Sequence, residues 1–229
     1  MRRLISKEVA ITILRHLSNS EYHWEYDRNK HHIAIEIEGC KAYFRLPIHM
    51  DMVTNFSSYY DMDDDIPYVI ILIQAGKAAV AYFEGDLLVD HKVFKSYMVR
   101  QKQGKSQIKY LNAKGKSKAG SRVRLANTVH FFESINERLI EYFEDYEVQR
   151  IAFSCSKTLL PYLYSSKVEC PFEKNDDRIV KIPKHVHTPG YEILLETSEW
   201  MMQGELKVED ENESVFEELI SWLDDAAAI

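Results

Sequence analysis

Residues 68–93 read YVIILIQAGKAAVAYFEGDLLVDHKV, and this stretch decides the fold. Tyr68–Ile73 is a continuous apolar run of strand length, which predicts a central strand buried on both faces. Ala75-Gly76-Lys77 turns the chain back, and Ala78–Phe83 returns as a second strand. Glu84-Gly85-Asp86 turns it again, and Leu87–Val93 makes a third strand. A three-stranded meander therefore delivers the chain directly into a long basic segment.

That segment, His91–Phe132, is HKVFKSYMVRQKQGKSQIKYLNAKGKSKAGSRVRLANTVHFF. Eleven of its residues are basic and none is acidic. The whole chain of 229 residues holds 29 Lys and Arg against 36 Asp and Glu, which leaves 18 against 36 outside this stretch. An acidic protein has gathered its positive charge into one segment. Gly104, Gly115, Gly120, Ser106, Ser117 and Asn112 accompany few large apolar residues, a composition that predicts a solvated loop. A concentrated basic run points to a polyanion, most commonly nucleic acid. The net charge of −7 argues against general coating of nucleic acid and for local engagement through one element.

Downstream, Ser121 is a candidate cap for a long helix. Leu125, Val129, Phe132, Ile135, Leu139 and Phe143 follow a three-and-four spacing, with Glu133, Glu137, Glu141 and Glu144 off that stripe. Val148–Cys155 reads as a strand, Lys157–Ser165 as a short helix, Arg178–Ile182 as a last strand and Tyr191–Met202 as a helix. From Glu205 acids dominate, with Phe216, Ile220 and Leu223 spaced for a short helix. Upstream, residues 6–19 read as an amphipathic helix. Ile33, Ile35 and Ile37 alternate as a strand, Glu38-Gly39 turns, and Lys41–Leu46 pairs back. The segment ending in Asp61, Asp63, Asp64 and Asp65 reads as a solvated connection and matches no calcium loop. The order implies an α/β fold, a mixed β-sheet flanked by helices with a long basic loop between a strand and a long helix. Three regions are expected: an amino-terminal helix and strand extension (1–66), a central domain (67–204) and an acidic tail with a short helix (205–229).

Several chemistries find no support. Cys40, Cys155 and Cys170 are far apart and odd in number, neither a disulfide framework nor a zinc pair, which suits a reducing cytoplasm. His31-His32 and His185/His187 lack Cys or acidic partners at ligand spacing, so no metal is expected. Phe131-Phe132 reads as core. The run Gly115-Lys116-Ser117-Lys118 lacks the spacing of a nucleotide-binding phosphate loop. No apolar run approaches the roughly 20 residues of a membrane helix, and Lys7, Glu8 and Arg15 interrupt the amino-terminal run, so no membrane and no signal peptide are expected. Tyr97, Tyr110, Arg100 and Arg122 are candidates for stacking on RNA bases, or plain surface residues.

Ala79–Gly85 (AVAYFEG), His91-Lys92-Val93, Arg100–Gln107 (RQKQGKSQ) and Gly115–Arg124 (GKSKAGSRVR) together resemble the catalytic domain of the archaeo-eukaryotic peptide-chain release factors. The closer similarity is to the release-factor-like domain of the Vms/ANKZF ribosome-quality-control proteins. It spans roughly residues 67–203, with a weaker echo in His187–Glu192. The resemblance implies a release-factor catalytic fold and hydrolysis of the ester of peptidyl-tRNA on stalled ribosomes, without a cofactor. The loop would reach the peptidyl-transferase centre of the large ribosomal subunit. Gln107 matches the glutamine that places the attacking water, with Ser106 and Gly104 shaping its approach. Release factors carry Gly-Gly-Gln, whereas here Gly104 is followed by Lys105-Ser106-Gln107, a departure that the Vms-type proteins also tolerate. Arg100, Lys102, Lys105, Lys109, Lys114, Lys116, Lys118, Arg122 and Arg124 are the expected RNA contacts. A neutral amide is no strong base, but it can position water, and the ribosome and tRNA ribose supply the rest. Two alternatives remain: a catalytically silent ribosome- or RNA-binding module, and a nuclease that cuts the tRNA 3′ end.

Overall fold

A computed structural model describes residues 1–50, 65–97 and 116–226, with backbone alone over 116–124, at 218 and from 223. In chain order the elements are β1 (Arg2–Ile5), α1 (Lys7–Asn19), β2 (His23–Asp27), β3 (His32–Ile37), β4 (Cys40–Arg45), β5 (Pro67–Gln74), β6 (Lys77–Glu84), β7 (Leu87–Lys95), α2 (Lys116–Asp145), β8 (Arg150–Cys155), α3 (Leu160–Tyr164), β9 (Ile179–Lys181), α4 (Tyr191–Met202), β10 (Gly204–Val208) and α5 (Glu217–Ala226). They form an α/β protein with two five-stranded sheets.

The second sheet has strand order β7-β6-β5-β8-β9 and is mixed. The meander β5-β6-β7 is antiparallel, β8 adds in parallel to β5, and β9 in parallel to β8. The Tyr68–Ile73 run lies at its centre with every side chain buried. Each large apolar residue so buried contributes about 1.5–3 kcal/mol. Alternate residues feed opposite faces. Val69, Ile71 and Ile73 pack with Phe132, Ile135 and Leu139 of α2, and Tyr68, Ile70 and Leu72 pack with Leu194 and Met201 of α4. The β5–β6 turn needs Gly76, whose φ of +79° a side chain rarely adopts.

The first sheet, β1-β10-β4-β3-β2, is antiparallel throughout. Ile13, Leu14 and Leu17 of α1 cover it together with Phe216 and Leu219. It is built from both ends of the chain. The acidic composition after Glu205 reads as a tail, yet Glu205–Val208 lies within β10, which pairs with β1 and β4. Gly204 begins that strand in close quarters, where an added Cβ would lie 3.0 Å from both the Arg45 carbonyl and the Phe44 ring.

Buried polar groups join the two sheets. Arg45 lies 4.0 Å over the Trp200 ring and donates to the Trp200 carbonyl at 3.2 Å. His31 is fully buried. Its Nε2 lies 2.9 Å from the Pro47 carbonyl and 3.1 Å from the Arg150 guanidinium, and its Nδ1 is hydrogen-bonded to the Tyr26 hydroxyl at 2.6 Å. Arg150, at the start of β8, donates to the carbonyls of Ile48 (2.6 Å) and Met50. Burial and the neighbouring Arg150 charge hold His31 neutral, its pKa well below the ordinary value. The first sheet thus meets the second where β5 and β8 begin.

Candidate functional site

The basic segment leaves the opposite end of the second sheet. At the end of β7, the Ser96 amide donates to the Gly76 carbonyl at 2.8 Å. The Ser96 hydroxyl donates to the Asn127 carbonyl at 3.2 Å, and the Asn127 side-chain amide donates to the Tyr97 carbonyl at 3.3 Å. Two reciprocal bonds therefore tie the residues that follow β7 to α2. One layer deeper, Arg138 of α2 is ion-paired with Asp90 of β7 and with Glu141, and lies 4.8 Å over the Tyr142 ring. Whatever the intervening segment does, it starts from a strand and a helix that are locked together.

The helix outreaches the sheet. Its 30 residues span about 45 Å at 1.5 Å per residue, against about 26 Å for the eight residues of β5. Its carboxyl end lies by the start of β5, where the Gln149 amide donates to the Pro67 carbonyl at 3.1 Å. The excess is at its amino end. Residues 116–126 precede Asn127 and extend roughly 16 Å past the tie to β7. The apolar stripe records the overhang. Phe132, Ile135 and Leu139 are buried, whereas Leu125, which precedes the tie at Asn127, is 60% exposed. The expected cap at Ser121 is corrected: the helix starts at Lys116, so Ser121 and Gly120 are interior. A glycine costs about 1 kcal/mol there, but Lys116–Ala119 contains no proline or β-branched residue to stop the helix.

The charge on this helix opposes its own dipole. Its first turn has no acidic residue and its last turn no basic one. Lys116 and Lys118 open the helix, and Glu144 and Asp145 close it. Both arrangements are disfavoured, by about 0.3–1 kcal/mol per exposed charge at low salt. The pattern therefore does not serve the stability of the isolated helix. An anion at the amino end relieves both the dipole and the lysines.

Of the expected site residues, Gly104, Ser106 and Gln107, and with them Arg100, Lys102, Lys105, Lys109, Lys114 and Tyr110, lie outside the described residues. Lys116, Lys118, Arg122 and Arg124 lie on the overhanging turns of α2. Tyr97 is 46% exposed at the base of the segment. What sequence reasoning missed is the clamp of Ser96, Asn127, Asp90 and Arg138. No local pattern marks it, since the partners lie 30 to 48 residues apart.

Other chemistries are poorly served. Burial pushes the Cys155 thiol up to about 12 and Cys170 up to about 11, so neither offers a thiolate near neutral pH. The rings of His185 and His187 pack edge to face at 4.2 Å. Among the described residues, no group of three or more His, Cys, Asp or Glu side chains is placed to hold a metal ion, and no helix is long and apolar enough to cross a membrane. Phe131 and Phe132 are core residues.

Comparison with known proteins bears on the same region. The chain finds no match among curated proteins. Among solved structures it is similar to one described as the Vms1 mitochondrial localization core, with 12% identity over 91% of each chain and a TM-score of 0.41. Residues 68–209 match the Bacteroidetes VLRF1 release factor family, a span that takes in the second sheet, the basic segment, α2, α4 and β10. The chain belongs to the Bacteroidetes VLRF1 release factor family.

Proposed function

We propose that this protein acts in ribosome rescue by hydrolysing the ester of peptidyl-tRNA, with Gln107 positioning the attacking water in the peptidyl-transferase centre. The observation that carries the reading is membership of a release factor family over a span containing the whole basic segment. The clamped base and the overhanging helix support it mechanically. A catalytic segment that must reach deep into another particle needs a rigid stalk, and loops mounted on rigid elements commonly carry function. In the reaction, water oxygen bonds the ester carbonyl carbon, the bond to the ribose oxygen breaks, and that oxygen leaves with a proton. The Gln107 amide accepts one hydrogen bond from the water and holds it in line. Gly104 and Ser106 shape the backbone around it. Arg100, Lys102, Lys105, Lys109, Lys114, Lys116, Lys118, Arg122 and Arg124 neutralise RNA phosphates, so binding is electrostatic and salt-dependent. The ribosome places this work in the cytoplasm.

One departure favours a second reading. Ser106 stands where release factors have glycine, and a segment that lost the backbone path would bind without cleaving. Products from stalled ribosomal complexes decide: free peptide with intact tRNA supports hydrolysis, no product supports the silent module, and peptide carrying terminal nucleotides identifies a nuclease.

A further inference from the structure

We propose that the groove between α2 and α3 is a stacking site for a single unpaired RNA base, a second point of RNA contact beside the basic segment. The inference rests on the nucleic-acid part of the function proposed above, but not on the ester chemistry. The groove has a volume of about 360 Å³ and is lined by Thr128, Val129 and Phe132 from α2 and by Pro161, Tyr162 and Lys167 on and after α3. Its position is set by the clamp. Thr128 adjoins Asn127, the residue that ties α2 to the end of β7. α3 comes after β8, whose carboxyl end lies beside that of β5 because the two run parallel. The groove therefore opens at the same end of the sheet as the basic segment.

Its chemistry fits a nucleobase better than a peptide side chain or a lipid. Tyr162 is 47% exposed and is stacked on buried Phe132 at 5.8 Å and 17°. The backing ring fixes the plane of Tyr162 and leaves its other face to a partner. Pro161 just before it lies in the first turn of α3 and restricts the backbone. Val129, 38% exposed, supplies apolar wall. Ser166 also lines the groove, and its buried hydroxyl has no hydrogen-bond partner among the described residues. Lys167 at the mouth offers a cation for the attached phosphate. An aromatic platform next to a cationic track is the arrangement that binds single-stranded nucleic acid, the ring holding the base and the cations the backbone. The chain enters its run of basic residues at the same end of the sheet, and that run supplies the charge that attracts RNA.

The test is binding of labelled single-stranded RNA by the full chain, measured by fluorescence anisotropy. It is repeated with oligonucleotides carrying one abasic ribose at successive positions. Wild type should lose roughly 5- to 150-fold in affinity when the stacked base is missing, the worth of one base on an aromatic ring. Tyr162→Ala should show the same loss on intact RNA and become indifferent to the abasic position, with its salt dependence unchanged. Tyr162→Phe should bind as wild type does, which separates stacking from damage to the fold. Equal binding of intact RNA by wild type and Tyr162→Ala overturns the proposal. So does an abasic penalty that persists in Tyr162→Ala, or weaker ribosome binding by that variant with unchanged RNA binding, the mark of a protein occupant. If replacing Lys114, Lys116 and Lys118 by Ala still weakens RNA binding while Tyr162→Ala does not, the stacking site fails and the nucleic-acid reading stands.

Discussion

Replacing His31 by Asn tests the buried junction on which the second sheet, and hence the clamp, is seated. His31 has φ of +49°, a left-handed conformation that Asn tolerates well. The shorter amide gives up the 2.6 Å bond with the Tyr26 hydroxyl. Losing that partner in a buried site costs about 1–3 kcal/mol, and the lost ring volume adds to it. At pH 7.5 the variant should therefore be clearly less stable than wild type. The difference should shrink in acid. Burial first, and Arg150 second, depress the folded-state pKa of His31, so the folded protein keeps the ring neutral while the unfolded chain takes up a proton below about 6.5. The unfolded state gains protons as pH falls, so wild type loses stability. Between pH 7.5 and 5.5 one such histidine removes about 1.4 kcal/mol, and the asparagine that replaces it removes none. His32 and His49 are also held below their ordinary values by burial, but they are common to both proteins and cancel in the comparison. Urea unfolding of both proteins at pH 7.5, 6.5 and 5.5 gives the difference directly. A gap that stays constant or widens in acid would show that His31 carries a proton in the fold and would refute the neutral network.

Gln107→Ala should leave folding and ribosome binding nearly intact and lower peptide release roughly 100- to 1000-fold, the usual loss when one positioned polar group is removed. Ser106→Gly should retain activity, and wild-type release by purified Gln107→Ala would sink the catalytic assignment. Replacing Lys114, Lys116 and Lys118 together by Ala should weaken ribosome binding and flatten the log–log salt slope by about 2 to 3, read from binding titrations at several salt concentrations. Gly204→Ala should cost more than about 1 kcal/mol in a thermal or urea melt, since its Cβ would meet the Arg45 carbonyl and the Phe44 ring at 3.0 Å.

The parts legible in the sequence are those whose signal is local. The apolar run Tyr68–Ile73 has room for one role only, a strand buried on both faces, and the turns at Gly76 and Gly85 are written in residues that accept positive φ. The stripe through Phe132, Ile135 and Leu139 declares a helix, and the gathering of eleven basic residues is legible without any neighbour and raises the expectation of a polyanion partner. What only the tertiary structure decided depends on pairing across the chain. Residues 204–208 carry two charges in five and become a strand through β1 and β4, whose partners begin some 200 and 160 positions away. Likewise β1 is four residues long and alternates only weakly; its edges are satisfied by β10, not by its own pattern. The exposure of Leu125 is the same effect in reverse. Its spacing matches the buried stripe, but burial requires a surface to bury against, and the sheet ends before the helix does. The groove beside Tyr162 and the clamp of Ser96, Asn127, Asp90 and Arg138 arise in that way, from where separate elements stop relative to one another.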